Sequence, residues 1–180
     1  SDIDGEAAGD QSGISVSLSS DGTIVAIGAW DNDDDAGHVR VYEYIGGDWV
    51  QLGSDIDGEA ADDQSGWSVS LDSDGDRVAI GAIKNDGSGS NAGHVRIYQY
   101  SGGSWNQLGS DINGAAANDW LGYSVSLDSD GDRVAIGAPE GDGSSSDQGY
   151  VRVYSYSGGS WSQLGSDIDG EVNGDAFGYS

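Results

Sequence analysis

The chain has 180 residues, of which 32 are Asp or Glu and only six are Lys or Arg, so its formal net charge at pH 7 is −26. Nucleic-acid binding depends on basic side chains that neutralise phosphates, so this composition argues against DNA or RNA as a partner. Cysteine is absent, which excludes disulfide bonds and thiolate metal sites. Thirty-two glycines, nine tyrosines and six tryptophans among short apolar runs are typical of an all-β protein with many turns.

Membrane insertion is not expected from this sequence. No apolar run approaches the ~20 residues that a membrane-spanning helix needs, and no signal-peptide pattern is present. Methionine is also absent. We therefore expect the chain to be a piece of a longer polypeptide or a processed product.

A tandem repeat organises the whole chain. The segment Ser-Asp-Ile-Asp-Gly begins at Ser1 and returns at Ser54, at Ser110 with Asn in place of the second Asp, and at Ser166. Intervals of 53 to 56 residues predict a chain of tandem units. The predicted units are residues 1–53, 54–109 and 110–165, and residues 166–180 begin a further one.

Each unit is predicted to contain four antiparallel strands. An Asp-Gly turn joins the first two strands, because Asp and Gly tolerate the positive φ of a tight hairpin, and a Gly-Gly hairpin joins the last two. In the second unit the predicted strands are 67–71, 76–82, 94–100 and 105–109. A four-stranded repeat of this size is the signature of a propeller blade, in which neighbouring sheets bury each other's faces.

The third predicted strand of each unit shows how such blades pack. In the second unit Val95 and Ile97 alternate with Arg96, Tyr98 and Tyr100, which predicts one apolar face and one aromatic and charged face. Three blades and a partial fourth are fewer than the four to eight blades of a closed ring. We therefore expect further repeats, or other copies of the chain arranged head to tail, to complete a ring or a filament.

The first strand and the strand after the turn carry a family resemblance. Phe177-Gly178 opens a first strand, as do Leu121-Gly122, Ser65-Gly66 and Ser12-Gly13, and Gly137-Ala138-Pro139 closes a second strand. These motifs resemble the FG-GAP repeat of integrin α-subunit propellers and their bacterial relatives. The sequence departs from the family pattern in two places, because Phe-Gly is literal only at residue 177 and the Pro of Gly-Ala-Pro is Trp30 or Ile83 in the other units. The resemblance implies an extracellular or cell-surface β-propeller used for adhesion or display, often with calcium in blade loops.

Carboxylates occur at a regular spacing in the loop that opens each unit. Positions 1, 3, 5 and 9 of this loop are acidic in three copies, and hard cations such as calcium require six to eight oxygen ligands. The pattern predicts a calcium site, with simple solvated acidity as the alternative, and in the remaining copy Ala115 replaces the acid at position 5. The predicted ligands are Asp2, Asp4, Glu6 and Asp10 in the first copy, Asp55, Asp57, Glu59 and Asp63 in the second, and Asp167, Asp169, Glu171 and Asp175 in the last.

Two other acidic stretches are weaker candidates. The calcium loop of the resembled family lies between the first and second strands, but here that connection is shortened to residues 72–76, for which a hairpin turn is the stronger interpretation. Residues 31–35 join the second and third strands, and the copies at 85–91 and 141–147 are richer in Ser and Gly, which favours a flexible loop in solvent. In a propeller this loop and the loop between units lie on the same face, so their charges are expected to add.

No catalytic constellation is found in the sequence. Arg40, Arg96 and Arg152 recur at one position of every unit, which indicates contacts between blades, whereas an active site needs one asymmetric set of groups. His38 and His94 have no nucleophile motif beside them, and no Gly-x-Ser-x-Gly, Walker or His-Glu-x-x-His pattern occurs. We therefore expect a protein that is not an enzyme.

Tryptophan gives the last clue to function. One tryptophan in each unit follows the Gly-Gly hairpin and is expected to pack the outer strand against neighbouring blades: Trp49, Trp105 and Trp161. Three others break this period and lie near loops, where aromatic rings can stack on sugars: Trp30, Trp67 and Trp120. The sequence thus leaves open a structural or adhesive repeat protein that associates with itself or with a cell-surface protein, and a lectin-like propeller that binds glycans.

Overall fold

The computed structural model describes residues 2–142 and 148–180, and every regular element in them is a β-strand. The strands form three five-stranded sheets within these residues. The first sheet contains β1 (Ser15–Leu18), β2 (Ile24–Ala29), β3 (His38–Ile45), β4 (Asp48–Gln51) and β5 (Ile56–Asp57). The second contains β6 (Ser65–Leu71), β7 (Arg77–Ala82), β8 (His94–Ser101), β9 (Ser104–Gln107) and β10 (Ile112–Asn113). The third contains β11 (Ser124–Leu127), β12 (Arg133–Ala138), β13 (Tyr150–Ser157), β14 (Ser160–Gln163) and β15 (Ile168–Asp169).

All three sheets share one antiparallel topology. The first four strands of each sheet pair in chain order, and the two-residue fifth strand pairs with the same strand as the fourth. In the first sheet, β5 pairs with the beginning of β3 (Val39 opposite Ile56) and β4 pairs with its end (Tyr42 opposite Gln51). The segment that opens each unit therefore completes the preceding sheet.

The four predicted strands per unit are confirmed, and their ends lie within two residues of the predicted ones. The short strands β5, β10 and β15 were not predicted, because two residues are too few to show a period. The unit boundaries stay sequence-based predictions.

The hydrophobic core lies between the sheets and not within any one of them. One buried cluster joins the first and second sheets, and its members include Val39, Val41, Leu71 and Val78. A second cluster joins the second and third sheets and is built in the same way. The prediction that each blade buries its faces against neighbouring blades is therefore confirmed.

The alternation predicted for β8 decides which blade each side chain meets. Val95 and Ile97 belong to the cluster shared with the third sheet, whereas Tyr98 belongs to the cluster shared with the first sheet. This strand thus contributes side chains to both interfaces of the middle blade, since successive side chains point to opposite faces.

The acidic loop at residues 31–35 lies beside the loop that opens the second unit, as expected. The backbone N–H of Asp62 donates to the carbonyl of Asp34 (3.0 Å), and that of Gln64 donates to the carbonyl of Asp35 (2.8 Å). Asp33 and Asp34 are exposed, as expected of a loop that faces solvent, and the backbone of this copy is held by its hydrogen bonds to the neighbouring loop. Residues 143–147 of the third copy lie outside the described residues.

Within the described residues, no helix has the length and apolar character required to cross a lipid bilayer.

Candidate functional site

The interface between blades repeats the same backbone contact. A Cβ atom on Gly28 would overlap the carbonyl oxygen of Gly66 in the next blade, and a Cβ on Gly81 would overlap that of Gly122. Gly66 and Gly122 also have positive φ (87° and 96°), a conformation that side chains with a Cβ rarely adopt. Glycine is thus required on both sides of each contact.

Hydrogen bonds from the first strand and the fourth strand join the same two blades. At the first boundary, Ser15 Oγ donates to the carbonyl of Gly66 (2.7 Å) and Ser17 Oγ accepts from the N–H of Leu71 (2.9 Å). Trp105 Nε1 donates to the carbonyl of Leu52 (2.7 Å), which places this periodic tryptophan against the preceding blade. The second boundary repeats all three bonds, through Ser68, Ser70 and Trp161.

The outer face of the first blade is exposed where the corresponding faces of the other blades are covered. Val16 and Leu18 are 64% and 59% exposed. The residues at the same positions of the second blade, Val69 and Leu71, are 9% and 6% exposed because the first blade packs on them. The first blade therefore presents an apolar face of the kind that elsewhere lies inside an interface.

The opposite face of the third blade is also less covered than its counterparts. Val151 and Val153 are only partly buried, whereas Val95 and Ile97 at the same positions of the second blade are fully buried. The outer faces of the first and third blades thus correspond to the two complementary faces that meet at each interface between blades.

The predicted metal ligands at position 9 close their own loops. Asp10 accepts a hydrogen bond from the N–H of Ala7 (2.9 Å), Asp63 from Ala60 (3.2 Å), and Asp175 from Glu171 (2.7 Å) and Val172 (2.8 Å). Asp10 and Asp63 are buried, and Asp63 also accepts from the side chain of Asn85 (2.9 Å). One carboxylate oxygen of each therefore already has a structural role.

The residues at positions 1 and 3 have different surroundings in different copies. The Asp4 and Asp57 backbone carbonyls accept hydrogen bonds from Arg40 (2.8 Å) and Arg96 (2.9 Å), whereas the side chains of Asp2, Asp4 and Asp57 lie in solvent. In the last copy, Asp169 Oδ1 is buried without a hydrogen bond and Glu171 is exposed.

The structure groups some predicted ligands with residues of other segments. Glu6 and Asp55 meet at His38, and Glu59 and Asp111 meet at His94; in each group the three potential ligand atoms lie within 4.8 Å of one another. Among the described residues, no three acids from positions 1, 3, 5 and 9 of one copy come together in this way. Of the predicted ligands, Glu6, Asp55 and Glu59 therefore belong to these groups.

Sequence reasoning missed the two histidines and Asp111 as partners of these acids. A signal was nevertheless present in the repeats. The units with Glu at position 5 have His38 or His94 at the start of the third strand, whereas the unit with Ala115 has Tyr150 there. Glutamate and histidine are thus gained or lost together.

Each glutamate in these groups lies between a histidine and an arginine. Glu59 Oε2 is 3.9 Å from Nδ1 of His94, and Glu59 Oε1 is 3.5 Å from Nη1 of Arg96. Glu6 has the same relation to His38 (3.9 Å) and Arg40 (3.7 Å). Burial, together with the nearby Arg96 charge, lowers the pKa of His94 to about 4, so its imidazole is neutral at pH 7.

The third unit replaces this arrangement with direct pairing. Tyr150, which is buried, donates from its hydroxyl to Asp119 (2.8 Å). Arg152 makes two hydrogen bonds to Asp167 (2.9 and 2.7 Å), and these hydrogen bonds lower the pKa of that carboxyl. The position-1 aspartate is therefore neutralised by arginine where no histidine is present.

Solved structures of three other proteins resemble this fold. Saccharomyces cerevisiae Sqt1 is 17% identical over 92% of this chain and 37% of its own, with a TM-score of 0.56. Acinetobacter baumannii TolB is 16% identical over 87% and 32% (TM-score 0.50), and Kuenenia stuttgartiensis hydrazine synthase is 11% identical over 86% and 36% (TM-score 0.53). TolB and hydrazine synthase have β-propeller folds. Identities this low show the fold alone, and the chain spans only about a third of the length of these proteins.

The repeat itself also matches a known family. A family model described as the FG-GAP repeat matches residues 55–98, from the loop that opens the second unit through most of β8. Residues 55–98 are an FG-GAP repeat, and the fold of the chain is of the β-propeller type. No curated protein matches the chain.

The geometry explains both glycines of the FG-GAP motif. The glycine of Phe-Gly and the glycine of Gly-Ala-Pro are the two residues that meet between blades. In the last copy, a Cβ on Gly137 would overlap the carbonyl of Gly178, to which Ser124 Oγ donates (2.9 Å). The FG-GAP segment at residues 177–180 thus occupies on the third blade the place of the next first strand.

The residue after the FG-GAP Phe-Gly position is aromatic in three copies. Trp67 lies 5.3 Å from Tyr123, and Tyr123 lies 4.6 Å from Tyr179, measured between ring centroids. The interpretation of Trp67 as aperiodic is therefore wrong, because it is the equivalent of these tyrosines. Trp30 (5.9 Å from Trp67) and Trp120 (6.5 Å from Tyr123) extend the same aromatic row.

Proposed function

We propose that this FG-GAP protein is an extracellular structural or adhesive module whose end faces associate with further blades. Those blades belong either to other copies of this chain or to further repeats of the same polypeptide. The resulting assembly is a ring or a filament of propeller blades, and its partners are copies of itself or a protein at the cell surface.

The exposed apolar face of the first blade is the observation that carries the proposal. Val16 and Leu18 are exposed on a face whose equivalents are the core of the internal interface. Contiguous apolar surface of this kind marks interaction sites in soluble proteins. Because each internal interface already joins such a face to the opposite face of a preceding blade, the fitting occupant is a further blade of the same kind.

The two end faces also carry the hydrogen-bond donor and acceptor that pair at each internal interface. Trp49 is the equivalent of Trp105, and Leu164 is the equivalent of Leu52, whose carbonyl accepts the bond from Trp105. A head-to-tail contact, in which residues 1–15 of one copy take the place of residues 166–180 of the preceding copy, would therefore let Trp49 donate to Leu164 of that preceding copy. The contact is heterologous, so it generates a ring if the rotation closes and a filament if it does not.

An extracellular location and an adhesive role are supported by the resemblance to integrin-type propellers and by the strongly acidic surface. A net charge of −26 keeps the free chain soluble, and burial of the apolar end faces has to outweigh the repulsion between like-charged copies. A non-catalytic role belongs to the same proposal. FG-GAP propellers are generally non-catalytic, although hydrazine synthase, one of the proteins of similar fold, is an enzyme by name.

Analytical ultracentrifugation and electron microscopy test the proposal on the full chain. We expect concentration-dependent association of the wild type and visible rings or filaments, and we expect Leu18→Glu to abolish both by placing a charge on the apolar face. Ile45→Glu is the matched control, since Ile45 is also exposed (53%) but lies at the β3–β4 hairpin. A wild type that stays an 18.4 kDa monomer at every concentration would refute self-association.

Glycan binding is a second candidate, favoured by the aromatic row around Trp67 and Tyr123. Partly exposed rings in a continuous row provide surfaces on which sugar rings can stack. We expect saturable binding on a glycan array that is lost in Trp120→Ala. Binding of the variant at wild-type level would reject this role for the aromatic row.

Calcium binding by the loops between units also stays a prediction. Hard cations prefer oxygen ligands, and three of the four copies of these loops have acids at positions 1, 3, 5 and 9. Thermal unfolding in calcium and in a calcium chelator measures the effect. An unchanged midpoint would remove calcium from the function of these loops.

A further inference from the structure

We infer that the Glu59–His94–Asp111 group and its equivalent, Glu6–His38–Asp55, are binding sites for a divalent transition-metal ion of the zinc type. Each site lies where one unit meets the next. Its ligands come from the loop that opens a unit, from the third strand of that unit and from the loop that opens the following unit.

The ligand set indicates the class of ion. One imidazole nitrogen and two carboxylates suit zinc and similar borderline ions, whereas calcium and magnesium prefer oxygen ligands alone. Three protein ligands leave a fourth position open, as in zinc sites that bind water. Glu59 is 46% exposed, so solvent can reach that position.

An unsatisfied buried atom points into the site. His94 is 1% exposed, and its Nδ1 makes no hydrogen bond with any described residue, although buried polar atoms normally have a partner. The same Nδ1 is 3.9 Å from Glu59 Oε2. Two ligands of a tetrahedral zinc ion lie about 3.4 Å apart, so a shift of about 0.5 Å by the partly exposed glutamate would bring these two atoms to the separation of zinc ligands.

Neighbouring side chains hold the acids in place, as outer partners commonly do at metal sites. Arg96 Nη1 lies 3.5 Å from the other oxygen of Glu59, and Gln107 Nε2 donates to Asp111 Oδ1 (2.6 Å). At the first site, Arg40 and Gln51 have the same positions relative to Glu6 and Asp55.

The third unit provides a natural comparison within the same chain. Tyr150 and Ala115 replace histidine and glutamate together, and the remaining aspartate, Asp167, is paired with Arg152. If histidine and glutamate had independent roles on an acidic surface, their replacement in the same unit would not be expected. The chain is therefore expected to hold two ions and not three.

Isothermal titration calorimetry with zinc chloride, on chelator-treated and dialysed full chain, tests the inference. We expect two equivalents of zinc for the wild type, one for His94→Gln, one for His38→Gln and none for the double variant. The double variant keeps every carboxylate, so any nonspecific binding of zinc to the acidic surface is the same as in the wild type. Tyr150→Phe is the control that should still bind two equivalents.

The histidines are buried, so their substitution could also disturb folding. Glu59→Gln avoids this problem, because Glu59 is partly exposed and glutamine has nearly the same size. It should weaken zinc binding at its site at least tenfold. Zinc binding by the double histidine variant at the wild-type stoichiometry would overturn the inference, and so would a wild type that binds no zinc. An excess of calcium should leave the two equivalents unchanged, and their displacement by calcium would contradict a zinc-type site.

Discussion

Replacing Leu71 by Ala tests whether the blades are stabilised mainly by one another. Leu71 is 6% exposed in the interface between the first and second blades. Burial of a leucine side chain contributes about 1.5–3 kcal/mol, and the cavity left by truncation adds to the loss. We therefore expect Leu71→Ala to lower the free energy of unfolding by about 3 kcal/mol.

Leu18→Ala is the matched control for this substitution. Leu18 has the same position in the first blade but is 59% exposed. With no neighbouring blade over it, truncation leaves no enclosed cavity, and we expect a loss of less than about 1 kcal/mol. Urea unfolding followed by tryptophan fluorescence, at the lowest practical protein concentration, measures both variants without a contribution from association. Equal losses at the two positions would refute packing between blades as the main source of stability.

Three further substitutions test single contacts by the same urea assay. Gly81→Ala places a Cβ against the carbonyl of Gly122 and should cost about 2 kcal/mol or more, and a neutral result would contradict the close contact. Trp105→Phe removes one hydrogen bond across the interface and should cost about 1 kcal/mol, more than Trp49→Phe. Burial raises the pKa of Tyr150, so its contribution to stability is complete below the unfolded pKa of about 10 and is lost as the pH rises above that value. Tyr150→Phe should remove this alkaline loss, and an unchanged pH dependence would assign it to another group.

Much of the fold could be predicted because its signals are local. The Asp-Gly turns, the alternation of Val95 and Ile97 with Arg96, and the interval between copies all follow from short-range conformational preference or from repetition. The candidate site could be predicted only in part. Spacing within one loop suggested that positions 1, 3, 5 and 9 act together, whereas the folded chain joins Glu59 to His94 and Asp111 of other segments.

The sequence by itself determined the all-β class, the four-stranded unit and the presence of paired apolar and polar faces on each strand. Only the tertiary structure decided which copies of these faces are covered, that Gly28 touches Gly66, and that a glutamate shares its surroundings with the aspartate of the following unit. The physical reason is that strand formation depends on neighbours in the chain. Contacts between residues of different blades depend instead on how one blade is rotated and positioned on the next.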